Sequence, residues 1–201
     1  MKNSLLGGFR AAVLAATMLS VVAPPALAQV PSFSPPTLQR PTYASGFSIT
    51  PAGLTLGDYA CVKGSAGQNT WLSHVRVSGF DGTAQNVVVN LMIRTVADTG
   101  GTSTSPASVP LTPNASNPAE STVLAYTVPP TPGTGAAIRS AVLGLPATPT
   151  AGVAVEWNFQ PQTDLTQQPT IQGVAQEYCI NFPAAFSTAV PTLSIEFGWT
   201  E

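Results

Sequence analysis

Three glutamates occupy similar strand-like settings: Glu156 in VEWNF, Glu177 in QEYCI and Glu196 in IEFGW. Each is out of phase with the large apolar residues around it, so on a strand each carboxylate points away from the core-building side chains. If the three strands were neighbours, the carboxylates would line one sheet face. Two carboxylates across a cleft are the machinery of glycoside hydrolysis, one as acid and the other as base or nucleophile. Arg76 and Arg94 stand in comparable positions and offer the other reading, cross-strand ion pairs worth at most about 1 kcal/mol each when exposed. No aromatic run accompanies the glutamates on that face. Ion pairing is therefore preferred, and no residue is given a catalytic role.

The other reactive side chains are few. His74, in WLSHVRVSG, is the only histidine and reads as a strand residue in phase with Leu72 and Arg76. A hydrolase triad needs a base beside its nucleophile and a third group to orient it, and no G-x-S-x-G elbow is present. One histidine and two cysteines also leave a zinc site short of ligands. Neither a metal nor any other cofactor is expected. Asp58, Asp81 and Asp98 fall at strand ends or turns but lack the spacing of a calcium-binding EF-hand loop; a lone turn aspartate ordinarily bonds its own backbone. The two cysteines, Cys61 and Cys179, are expected to form a disulfide, because an even count in an exported chain favours one.

Export is read from the first 28 residues, which have the parts of a cleavable signal peptide. Lys2 and Arg10 supply the positive region, AAVLAATMLSVVA the apolar one, and Ala26-Leu27-Ala28 the small-x-small site. Cleavage is expected between Ala28 and Gln29, leaving 173 of 201 residues. That removes two of the seven basic residues and none of the nine acids, for a net charge of −4. A chain so poor in Lys and Arg has no electrostatic footprint for nucleic acid or for an anionic membrane. No later segment is long and apolar enough to be a membrane-spanning helix. Secreted, extracellular or periplasmic residence is the expectation.

Only 8% of the residues are charged, against about 25% in ordinary soluble domains. Thr, Ser, Asn, Gln, Pro and Ala must therefore cover the surface, which suits an assembled subunit better than a concentrated monomer.

The elements that must position these residues are β-strands. Residues 29–45, QVPSFSPPTLQRPTYAS, are Pro-rich and without period, and read as an arm or linker. Residues 46–201 form the domain, with strands expected at 46–50, 58–63, 71–78, 86–96, 122–128, 136–143, 152–159, 173–182 and 192–200. Period-2 alternation is clear in four sets: Val87, Val89, Leu91, Ile93; Val153, Val155, Trp157, Phe159; Val174, Gln176, Tyr178, Ile180, Phe182; and Leu193, Ile195, Phe197, Trp199. One apolar face per strand implies antiparallel sheets over a single core. The fold expected is all-β, an antiparallel jelly-roll-like sandwich of about eight or nine short strands. Asp81-Gly82 between two strands is a hairpin-type signal. Residues 97–121 make a long polar excursion, a candidate contact loop, and Asn114-Ala115-Ser116 inside it matches a glycosylation sequon.

Two stretches, FSITPAGLTLGD and WLSHVRVSGFDGTAQNVVVNLMIRT, resemble small jelly-roll virion or fibre-type proteins of phage-like and environmental bacterial sequences. The resemblance covers about the first half of the domain and implies a structural subunit. The signal peptide departs from it, since capsid parts assemble in the cytoplasm, and turns the expectation toward an exported surface or appendage subunit. The reading is thus a non-enzymatic structural subunit that forms homo-oligomers. Its alternatives are a carbohydrate- or ligand-binding module using the long loop and a polar sheet face, and a glycan-active hydrolase using the glutamates.

Overall fold

Alternation of apolar and polar side chains builds a β-sandwich in the computed structural model, which describes residues 40–112, 118–149, 153–159, 168–187 and 189–201. The signal segment, its Ala28/Gln29 junction, the arm as far as residue 39 and the sequon at Asn114 lie outside the described residues. Twelve strands are described: β1 (Thr42–Ile49), β2 (Gly57–Lys63), β3 (Asn69–Phe80), β4 (Gln85–Arg94), β5 (Thr102–Thr104), β6 (Val109–Pro110), β7 (Thr122–Val128), β8 (Gly135–Leu145), β9 (Val155–Asn158), β10 (Thr170–Gln172), β11 (Glu177–Phe182) and β12 (Thr192–Thr200). The first sheet runs β10-β3-β12-β1-β6, with β9 also paired to β3; the second runs β5-β7-β2-β11-β4-β8. All pairings are antiparallel. Among the described residues no helix is long and apolar enough to cross a membrane.

The inward-facing sets meet between the sheets. Leu193, Ile195, Phe197 and Trp199 of β12 are all buried, as are Val89 and Leu91 of β4 and Tyr178, Ile180 and Phe182 of β11. Tyr59, Phe182 and Phe186 pack tilted or edge-on with centroids 5.1–5.8 Å apart, a geometry that adds to the burial of their large faces.

Four expectations change. The strand opening the domain begins at Thr42, so the last residues assigned to the arm are structural. Tyr43 is buried and stacks on Trp199 at 5.9 Å, which carries β1 into register with β12. Asp81-Gly82 is not a hairpin turn, because β3 and β4 lie in different sheets and the turn crosses between them. The strand expected at 173–182 is cut by Gly173, whose φ of 75° breaks extended pairing; Val174 is left exposed. The long excursion carries two short strands, β5 and β6, and β10 was not expected, so twelve strands are described where eight or nine were expected.

Candidate functional site

The second sheet buries a small cluster on its outer face as well. Cys61 of β2 lies directly opposite Cys179 of β11, with Cα atoms 4.1 Å apart, and the two form the expected disulfide. Leu124, Cys61, Cys179 and Met92 make one cross-strand row, and Tyr126 packs against it. A bulge in the β2–β11 pairing gives β2 one extra residue. Tyr59 and Ala60 can then both face the main core, while Asp58 turns to the outer face that carries the disulfide.

Around this bridge sit three acids and one arginine. Asp58 is fully buried. Arg94 donates to it from Nε to Oδ2 and from Nη2 to Oδ1, each at 2.9 Å, and Asn181 donates to Oδ1 at 2.6 Å. The third arginine nitrogen, Nη1, donates to the Gly133 carbonyl at 3.0 Å. Gly133 N–H in turn donates to Asp98 Oδ1 at 2.8 Å, and Asp98 N–H donates to Glu177 Oε2 at 3.2 Å. Asp98 Oδ2 lies 3.6 and 3.8 Å from the two disulfide sulfurs. Bidentate, buried pairing of this kind is the strong form of an ion pair, yet one guanidinium cannot balance three carboxylates.

Burial and the neighbouring acids both act on Asp98, whose side chain is fully buried. Burial foremost, then repulsion from Asp58 and Glu177, pushes its carboxyl up to about 7, against the favourable Gly133 N–H. Burial likewise raises Glu177. A protonated Asp98 can donate to Asp58, which relieves the crowding of like charges.

Asp58, Cys61, Asp98 and Cys179 bring four potential metal-ligating atoms within 4.8 Å of one another. A thiolate, not a disulfide sulfur, is the ligand form, and Asp58 is already held by Arg94 and Asn181. The arrangement acts as an ion-pair network that ties β2, β4 and β11 to the chain near Asp98 and Gly133. Asp58 and Asp98 therefore do not follow the expectation of a turn aspartate bonded to its own backbone.

The glutamates are split between the sheets. Glu177 belongs to the buried network, opposite Arg94 and Lys63 in register. Glu156 and Glu196 lie on the first sheet, on either side of Arg76. Arg76 thus stands between the only two that share a face. His74 Nε2 lies 3.2 Å from Glu196 Oε1, and its ring lies over Gly198, where a Cβ would come within 2.3 Å of it. A bulge places His74 opposite Gly198 and Leu72 opposite Trp199, so His74 shares the outer face with Arg76 while Leu72 is buried. Leu72 and His74 are not in phase after all. Trp71 carries the Arg40 guanidinium 3.8 Å from its ring centroid.

Two further features were not anticipated. Asp81 is buried; Gln85 donates to its Oδ2, and Oδ1 has no partner among the described residues. An open groove of about 570 Å³ at the end of the second sheet is lined by Lys63, Ser65, Gly67, Glu120, Thr122 and Leu124, among others. No protein-family model matches this chain, and no curated protein or solved structure is significantly similar to it.

Proposed function

We propose that the protein is an exported, non-enzymatic structural subunit that assembles from copies of itself. The observation that carries this reading is its surface. With 8% charged residues, the exposed shell includes large apolar side chains such as Leu56, Val96, Val109, Leu111, Val142 and Val153. Uncharged surface is cheaper to desolvate than Lys or Glu, so its burial between subunits is favoured. The buried disulfide suits the oxidising space outside the cytoplasm, and the jelly-roll resemblance supports a structural role. Light scattering on the secreted protein tests the proposal: assemblies larger than the monomer are expected, and a clean monomer across the concentration range refutes it.

A second reading has one observation in its favour. Trp71, His74, Arg76, Glu196 and Asn158 share the outer face of the first sheet, an aromatic among polar groups as in glycan recognition. A glycan array tests it. Hydrolysis by Glu156 and Glu196 is less favoured, since Arg76 holds the position between them that a sugar and its water need.

A further inference from the structure

Sheet edges invite other strands, because each presents a row of unpaired N–H and C=O groups. Among the described residues, three of the four edges are formed by short strands. β5 and β10 have three residues, β9 four and β6 two. The fourth edge is β8, with 11 residues, roughly 36 Å of strand at ~3.3 Å per residue. Its sequence GAAIRSAVLGL holds no Lys, no acid and no proline, which are the usual means of discouraging edge pairing. The one irregularity is a bulge that leaves Ile138 unpaired with β4, after which Arg139–Leu145 pair without interruption.

The outer side of that regular run is apolar at its centre. Val142 is 63% exposed and lies directly opposite Val88 of β4, which is 42% exposed. Ser140 and Gly144 flank it on the same face. The only charge on the strand, Arg139, reaches toward the other sheet, 5.3 Å from the Phe159 ring centroid.

We infer that the β8 edge is a self-association surface, on which a second copy adds its own β8 antiparallel about a two-fold axis at Val142. This deepens the assembly reading and rests on it. The register follows from the residues. Centred on Val142, the pairing sets Ser140 against Gly144 of the second copy and Ala141 against Leu143. It extends the Val88–Val142 row into a continuous line of four valines across both sheets, and it separates the two Arg139 side chains by six residues, about 20 Å. Like charges never face each other. Isologous contacts of this kind close into a dimer, and strand addition supplies backbone hydrogen bonds without requiring a deep pocket.

The test compares the mature protein with V142K, V142C, S140C and, as a control on an exposed valine elsewhere, V174K. Light scattering should show the wild-type mass halved in V142K, which places two ammonium groups at the axis, and unchanged in V174K. Near-ultraviolet circular dichroism should match wild type in both. On a non-reducing gel V142C should give a covalent dimer, and S140C should not, its own copy lying about 13 Å away in this register. Wild-type assembly that V142K leaves intact overturns the β8 edge and spares the assembly reading; a monomeric wild type overturns both. Efficient S140C crosslinking overturns the Val142 register.

Discussion

Replacing Asp98 by asparagine should make the protein more stable at neutral pH and less sensitive to pH. The folded carboxyl titrates at about 7, against an ordinary 3.8. Between those values the folded state holds a proton that the unfolded chain has released. Stability from this group is therefore fully present below about pH 4 and is lost as pH rises through 7. At ~1.4 kcal/mol per pH unit the whole interval amounts to roughly 4 kcal/mol, and local relaxation brings the expected loss to about 2–3 kcal/mol. In D98N the amide oxygen still accepts from Gly133 N–H, and the amide nitrogen can donate to Asp58 as the protonated acid does. Urea unfolding at intervals from pH 5 to pH 8, with the disulfide intact, measures the effect. Wild-type midpoints should fall across that window and D98N midpoints should stay nearly level, the gap being widest above pH 7. Glu177, also raised by burial, carries a pH dependence of the same sign, which E177Q removes. Parallel pH profiles for wild type and D98N would refute the reasoning.

R94Q should be among the most damaging single changes, costing about 3–5 kcal/mol, because it leaves Asp58 buried without its cation; the denaturation midpoint reads the loss. C61S/C179S opens a closure spanning 118 residues and should cost about 4–5 kcal/mol on the chain-entropy account, matched by wild type unfolded in reductant. G198A forces the His74 ring off its seat and should cost roughly 1–2 kcal/mol. H74A/G198A should recover most of that, and additive losses in the double-mutant cycle would show that the ring is not the obstacle.

The strands that build the core were legible because each carries its burial in its own alternation. Leu193 to Trp199 needs no distant partner to declare which face is inside. β1 was read short because Pro41 and the small polar residues after it resemble a linker, and only the fit of Tyr43 on Trp199 makes them a strand. The phase of His74 was misread because a bulge leaves no local mark in the sequence. The buried network was hidden for a stronger reason. Asp58, Arg94, Asp98 and Glu177 come from three strands and a loop, and they meet only in the order β2-β11-β4. A signal did exist: in a chain with so few charges, an aspartate in GDYACV, an arginine closing VVVNLMIR and a glutamate opening EYCINF are each a charge set in an apolar strand, where burial demands partners.

The pairing of β1 with β12 has a consequence in time. These strands lie side by side in the middle of the first sheet, with Thr42 opposite Thr200 and Ile49 opposite Leu193. A ribosome delivers β1 roughly 150 residues before β12, at about 5–20 residues per second. For many seconds β1 has no neighbour on that side, and the sheet cannot close. Topologies built on such distant pairings fold slowly. The same order of synthesis holds the disulfide open, because Cys61 emerges 118 residues before the Cys179 it must join.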